Sequence, residues 1–489
     1  MKKEFVKDNF ITLIAHILIY LKGIFLIPII KTVGASVYGS FALLITFVSI
    51  VYGVSALGVG VKSNRYLPSA KTPEDKAKLF YPPFYFQLMM IIFYSFLILI
   101  FKSQLLAFIS NNGVLFSIYI IPLYLILYSL YAHLNNYLRY TSRIFYMNIH
   151  GLCFAYGHVF FVLFYAFFID KISINILFLS QAFIAFIVSL PVLILLIKEI
   201  NVKFIFFKRG ELREQIKLGF PLTLNFIVDF ILSGFDRFVL AYFMGTFSVG
   251  IYVVAYAIGS LILLVPRSIG TVVPQLISKS VDNDNFIQAK SFFTNSIKLF
   301  MLVAVPFLFG VYLVGKETLI LLSNEEVAKN GQYVATIVAV SSLFYGFTLL
   351  ITQANIVDLK TGMIFKANAI ASLFSLISNI VLLYFLKSIY IPAITSVIAF
   401  MISTAYLYYN LDIKWKDKLI IKIFIKIFVA SFIMFCIVQI SSIFLQDIST
   451  IFNILIKVLI AILVYPVLLL GFKIYTKEQI QNIIRGLIK

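Results

Sequence analysis

Four basic side chains stand inside apolar runs: Lys22, Arg237, Arg267 and Lys457. A charge in hydrocarbon costs at least ~2.5 kcal/mol, so embedded charges face a cavity, pair with a partner or reach the interface. Fixed cations of this kind could hold an anionic ligand. Arg267 follows Pro266 in a long uncharged run, too deep to reach the interface easily, and is expected to line a cavity. Lys22 lies mid-helix, on the side away from a stripe of Thr12, His16, Tyr20 and Gly23. Lys457, near the outer end of its run, is expected to snorkel. Two carboxylates join them: Asn225, Asp229, Ser233 and Asp236 fall within about 80° of one another at 3.6 residues per turn. That stripe is read as lining a cavity. Asp229 is either a site for a coupling ion or a protonated or paired carboxylate. In "DRFVLAYFMG", Asp236 and Arg237 are neighbours and point about 100° apart. Asp236 is therefore expected to face the cavity with Asn225 and Asp229. Arg237 turns either to a partner on another helix or to a ligand. Stripes at Ser341–Asn355 and Asn368–Asn379 either line a cavity or join helices.

Other chemistries find no support. Cys153 and Cys436 fall in apolar runs and suit neither a disulfide framework nor a metal site. The histidines His16, His133, His150 and His158 show no metal-ligand spacing. No phosphate-binding glycine loop of the ATPase type occurs, so no ATP-driven pump and no cofactor are expected. A membrane glycosyltransferase would need a large outer loop with catalytic carboxylates, and the longest outer segment, around 316–332, is too short, so no enzymatic activity is expected.

The elements that carry these residues are membrane helices. The 489 residues are 62% hydrophobic and 12% charged, against about a quarter charged in soluble domains. About fourteen apolar runs follow one another, near residues 10–32, 37–61, 80–101, 114–134, 146–169, 174–197, 218–243, 247–277, 295–315, 333–356, 365–386, 390–410, 421–445 and 451–473. Each is long enough to span a bilayer as a helix. No cleavage site follows the first, so no removed signal peptide is expected. If alternate breaks are assigned to one side, that side holds thirty of the forty Lys and Arg residues and the other six. This bias places both termini in the cytoplasm and accounts for the net charge of +20 without nucleic acid. The final "TKEQIQNIIRGLIK" reads as an amphipathic helix on the inner leaflet.

Residues 11–47 lie over 222–258 at a constant offset of 211, with Thr12 on Thr223, Gly34 on Gly245 and Gly39 on Gly250. Six helices separate the copies, so both insert the same way up, as a parallel repeat. This gives two six-helix lobes, 1–200 and 201–412, and an addition, 413–489, with helices 13 and 14 and the tail. Gly34 and Gly245 mark outer turns, so helix 7 is expected to continue to about Phe243.

Fourteen helices in this 6+6+2 order, "VYGSF" after the first, "NRYLP" in the next loop and "DRFVLAYFMG" after the seventh resemble the Wzx-type polysaccharide flippases. These belong to the MOP superfamily, whose members include the MATE exporters. The resemblance implies an all-α, two-lobed transporter of a bacterial inner membrane. It implies movement of an undecaprenyl-diphosphate-linked oligosaccharide, an O-antigen or capsule unit, from the cytoplasmic to the periplasmic leaflet by alternating access. Lys22, Arg237 and Arg267 would then meet the diphosphate, and Lys457 a groove for the lipid tail. The lipid bilayer, H+ or Na+, and the polysaccharide polymerase with its chain-length machinery are the further partners implied. A lipid II flippase and a cation-coupled drug exporter of the same superfamily are the neighbouring readings.

Overall fold

The computed structural model describes residues 2–110, 116–169, 172–443 and 449–474, and every regular element among them is helical. The expected C-terminal amphipathic helix lies outside the described residues. The helices are α1 Lys2–Leu26, α2 Ile30–Val33, α3 Ala35–Ser55, α4 Val61–Tyr66, α5 Pro73–Ile100, α6 Lys102–Ser110, α7 Ile120–Tyr140, α8 Ile144–Phe168 and α9 Ile174–Ile200. They continue with α10 Arg209–Ser233, α11 Asp236–Gly259, α12 Leu264–Asp282, α13 Phe286–Leu322, α14 Glu325–Val357, α15 Thr361–Leu386, α16 Ile391–Tyr409, α17 Lys418–Ser442 and α18 Thr450–Gly471. Hydrocarbon leaves the helix as the natural way for each apolar run to satisfy its own backbone.

Among the described residues, twelve segments are long and apolar enough to cross a membrane. One of them, 209–282, contains two of the runs that the sequence separates. The helix α7, which carries His133, Asn135 and Asn136, is not among the twelve. These two features account for the difference between twelve segments and fourteen runs.

The chain forms two compact units. The first takes residues 1–253 with 375–388, the second 254–374 with 389–489. In the first, α1 packs on α8, α7 on α9 and α5, and α3 on α10. Its core joins Phe41, Leu44, Ile91, Tyr124, Val162 and Phe178. In the second, α14 packs between α13 and α16, and α17 and α18 pack on α13. Its core includes Phe293, Phe300 and the fully buried Trp415.

The repeat is visible in the backbone. Gly34 has φ 82° and ψ 162°, and its counterpart Gly245 has φ 77° and ψ 172°. These positive φ values favour glycine, and each glycine turns one apolar helix into the next. The following helices meet at equivalent positions. A Cβ on Gly39 would stand 2.0 Å from the Thr246 carbonyl oxygen, and one on Gly250 would stand 2.0 Å from that of Ala35. Small residues allow this approach of α3 and α11. A second close approach sets Gly58 against Gly219 on α10, where the Lys62–Glu214 ion pair closes at 2.7 Å.

One expectation about the backbone is corrected. Helix 7 does not continue unbroken to Phe243: α10 ends at Ser233, two turn residues follow, and α11 starts at Asp236. Gly234, at φ −149°, leaves the helical path at the break.

Candidate functional site

On α10, Asp229 and Ser233 are exposed and Asn225 is half-buried. The Ser233 hydroxyl donates to the Asp229 carbonyl at 2.7 Å, which satisfies the hydroxyl and leaves the stripe on the surface of an apolar helix. The stripe is thus present as far as Ser233, but Asp236 does not continue it. Asp236 is 4% exposed. Its Oδ1 accepts the Arg237 backbone N–H at 2.9 Å, and its Oδ2 accepts the Tyr252 hydroxyl proton at 2.6 Å. The break at Gly234 resets the helical register, so angles counted from Asn225 do not carry across it. The first turn of α11 also suits a carboxylate, because unpaired N–H groups point that way.

Arg237 reaches toward α3, where its Nη1 donates to Thr46 Oγ1 at 3.3 Å. Thr46 in turn donates to the Ala42 carbonyl at 2.7 Å. One partner of the guanidinium is thus a hydroxyl on a neighbouring helix. Tyr252 and Thr46 were not singled out from the sequence. The pairing of Tyr252 with Asp236, sixteen residues earlier, is carried by the turn at Gly245.

The other cations differ in their surroundings. Lys22 is half-buried, with Nζ 5.4 Å from the centre of the Phe154 ring. A cation over an aromatic face is held by the ring's quadrupole. His16 is exposed on the same helix. Arg267 is exposed on α12 beside the buried Pro266. Lys457 does not snorkel: it is 6% exposed and donates to Glu317 Oε1 at 2.8 Å and to the Leu313 carbonyl at 3.4 Å. Its partner reads as a loop residue in the sequence, but α13 runs on to Leu322 and carries Glu317 into the helix. Lys457 also lines a cavity of about 410 Å³ between α13, α17 and α18, otherwise walled by apolar side chains such as Phe307, Met434 and Ile462.

The stripes on α14 and α15 are largely buried, with Tyr345, Thr352 and Asn368 half-buried. Ser341, Thr348, Asn355, Ser372, Ser375 and Asn379 are all buried. Asn355 and Asn379 each donate to the carbonyl four residues back, and Thr348 bonds Thr404 of α16 at 2.9 Å. A polar cluster absent from the sequence reading joins α7 and α9: Tyr137 donates to Glu199 at 2.5 Å, and Arg143 pairs with the same carboxylate. Among the described residues, no group of three or more His, Cys, Asp or Glu side chains could hold a metal ion.

Residues 221–385 match the MatE family. A stretch of 141 residues is 32% identical to a probable flippase, AglR, of Haloferax volcanii, and covers 27% of this chain and 29% of that one. The solved lipid II flippase MurJ in an inward closed conformation superposes with a TM-score of 0.70 at 20% identity, covering 99% of this chain and 100% of that one. An inward-facing MATE multidrug resistance transporter of the MOP superfamily gives 0.68 at 11% identity, covering 83% and 96%. These structures share the fold. Residues 5–280, more than half of the chain, match the family described as polysaccharide biosynthesis protein. The chain is a multi-pass membrane protein of that family, built on the fold of the MOP superfamily.

Proposed function

We propose that the chain is a flippase that moves an oligosaccharide linked to a polyprenyl diphosphate from the cytoplasmic to the outer leaflet, without chemical change to its substrate. The observation that carries this reading is the exposure of Asp229 and Arg267 on apolar helices. Side chains of this kind are costly against lipid and suit a water-filled path. The family match and the flippase relative support the same reading. The sugar head group needs such a path, because each unsatisfied hydroxyl costs several kcal/mol in hydrocarbon. Arg267 and Lys22 serve as diphosphate contacts, with His16, Asn225 and Asp229 as polar lining and Asp229 as the carboxylate for H+ or Na+. Arg237 shapes the α3–α11 contact. The cavity beside Lys457 takes part of the lipid tail. An inside-negative potential drives a dianion outward by roughly 4–5 kcal/mol per 100 mV.

In this reading the lobes are 1–200 and 201–412, with 413–489 added, and both termini are cytoplasmic in a bacterial inner membrane. Reporter fusions at Lys489 and Asn330 then report opposite sides; the same side for both overturns the orientation. Export itself is tested by following the appearance of labelled lipid-linked oligosaccharide in the outer leaflet of vesicles. Arg267→Ala abolishes it at normal membrane abundance, and Arg267→Lys retains part of it. Wild-type export by the alanine variant removes Arg267 from the path. The likeness to MurJ favours lipid II as a second substrate reading, which the same vesicles test with lipid II as cargo.

A further inference from the structure

Apart from the exposed stripe and the cavity at Lys457, the first unit holds a second, partly open cavity of about 180 Å³. It lies where the end of α3, the 56–67 segment and α5 meet α7. An apolar cavity of about 150 Å³ accepts a benzene ring, so this one has room for a single six-membered ring. Its walls are of two kinds. Tyr52, Phe80 and Tyr140 supply aromatic surface, and His133 and Asn136 supply neutral hydrogen-bonding groups. Among the described residues, no Lys, Arg, Asp or Glu side chain lines it.

The polar groups are available. Among the described residues, none hydrogen-bonds the Asn136 amide or the Tyr140 hydroxyl. His133 holds its Nδ1 to the Ser129 carbonyl at 3.0 Å. That carbonyl can only accept, so Nδ1 carries the proton and Nε2 is left as an acceptor. An amide, a hydroxyl and an imidazole acceptor therefore line a neutral space bounded by rings. An ion or phosphate would find no counter-charge there, and an alkyl chain would leave the polar groups unsatisfied. A neutral sugar ring fits both walls: its C–H face lies on an aromatic surface, and its hydroxyls and amide meet Asn136, His133 and Tyr140.

We infer that this cavity is a saccharide subsite that takes one neutral sugar residue, and it rests on the oligosaccharide reading given above. The 62–79 and 135–145 segments beside it carry part of the charge excess assigned to the cytoplasm, so it would receive the sugar before translocation. Gly60 supplies the decisive variant. It lines the cavity, has φ −84°, and a Cβ there meets no atom within 4 Å. Gly60→Leu can fill the space without backbone strain.

The test is saturation-transfer difference NMR on the full chain in lipid nanodiscs, with free hexoses and N-acetylhexosamines as probes. At least one sugar should bind, and Gly60→Leu and Asn136→Leu should each lower its signal at least fivefold. Tyr140→Phe, which deletes a single hydroxyl and should not impair folding, should weaken it about threefold. A wild type that binds no sugar in the panel overturns the proposal, as does binding undiminished in all three variants; the cavity then holds water. Vesicle export on the same proteins separates the two readings. Export by a wild type that binds no sugar removes the subsite and leaves the flippase. Sugar binding lost in Gly60→Leu, with no export by the wild type, keeps the subsite and removes the flippase.

Discussion

The two copies of the repeat share a glycine turn and differ in chemistry. Both turn at a glycine of positive φ, and both send a helix to the same close contact. Where the second copy has Asp236, Arg237 and Tyr252, the first has Phe25, Leu26 and Phe41 at the offset of 211. Leu26 and Phe41 are buried in the apolar core of the first unit. In the second copy a hydroxyl meets a carboxylate at the corresponding places, and the arginine reaches across to Thr46. The glycine turn is thus flanked by apolar residues in one copy and polar ones in the other, and Phe25 is exposed where Asp236 is buried. A single polar member without the others would be a buried group with no partner.

The strongest way to break this comparison is to mix the sets. Asp236→Leu removes the acceptor of the Tyr252 hydroxyl and of the Arg237 backbone N–H and should cost about 3 kcal/mol. Tyr252→Phe alone should cost about 1 kcal/mol. The triple exchange Asp236→Phe, Arg237→Leu and Tyr252→Phe, which copies the first half, should recover most of the loss. Thermal unfolding in detergent measures all three, and a triple variant no more stable than Asp236→Leu would show that the set is not a unit.

Lys457 and Glu317 sharpen the contrast, because their pair joins two helices directly. Glu317→Ala leaves Lys457 buried without its carboxylate and should cost about 2 kcal/mol, below the range for fully buried pairs since Glu317 is partly exposed. Adding Lys457→Met should restore stability in the same assay. An equal loss in single and double variants would mean that the pair's packing matters and its charge does not.

The smallest effect lies outside the membrane helices. Asp412 accepts a hydrogen bond from Lys360, which holds its carboxyl below the ordinary carboxylate range. A depressed value means that the pair contributes fully above about pH 4 and is lost as pH falls through the lowered value. Wild-type protein should therefore lose slightly more melting temperature between pH 6 and 3 than Lys360→Ala. Identical slopes would show that this exposed pair contributes nothing measurable.

Much of the fold was legible because hydrocarbon permits few alternatives: an apolar run of some twenty residues reads as a helix wherever it sits. The glycine turn at Gly245 was legible from its copy at Gly34. The break at Gly234 was not, since a glycine aligned with Gly23 of α1 gives no sign of a break there. That one hidden break reversed the reading of Asp236, while Asn225 and Asp229, which precede it, kept their common face. Lys457 was misread for a related reason. Its partner stands 140 residues earlier on a helix longer than its apolar run, and no local pattern connects the two.

The contact of Gly39 with Thr246 and of Gly250 with Ala35 has the form of an isologous interface. Each half offers the other the patch that it receives, as in a dimer of identical subunits. Two separate half-length chains would meet through this surface with no new residue required. Such a seam ties the halves together in their later history as well. A larger side chain accepted at position 39 must be answered on the backbone around 246, and one at 250 around 35. Both glycines are therefore held small, because a substitution at 246 or 35 leaves the opposing carbonyl in place.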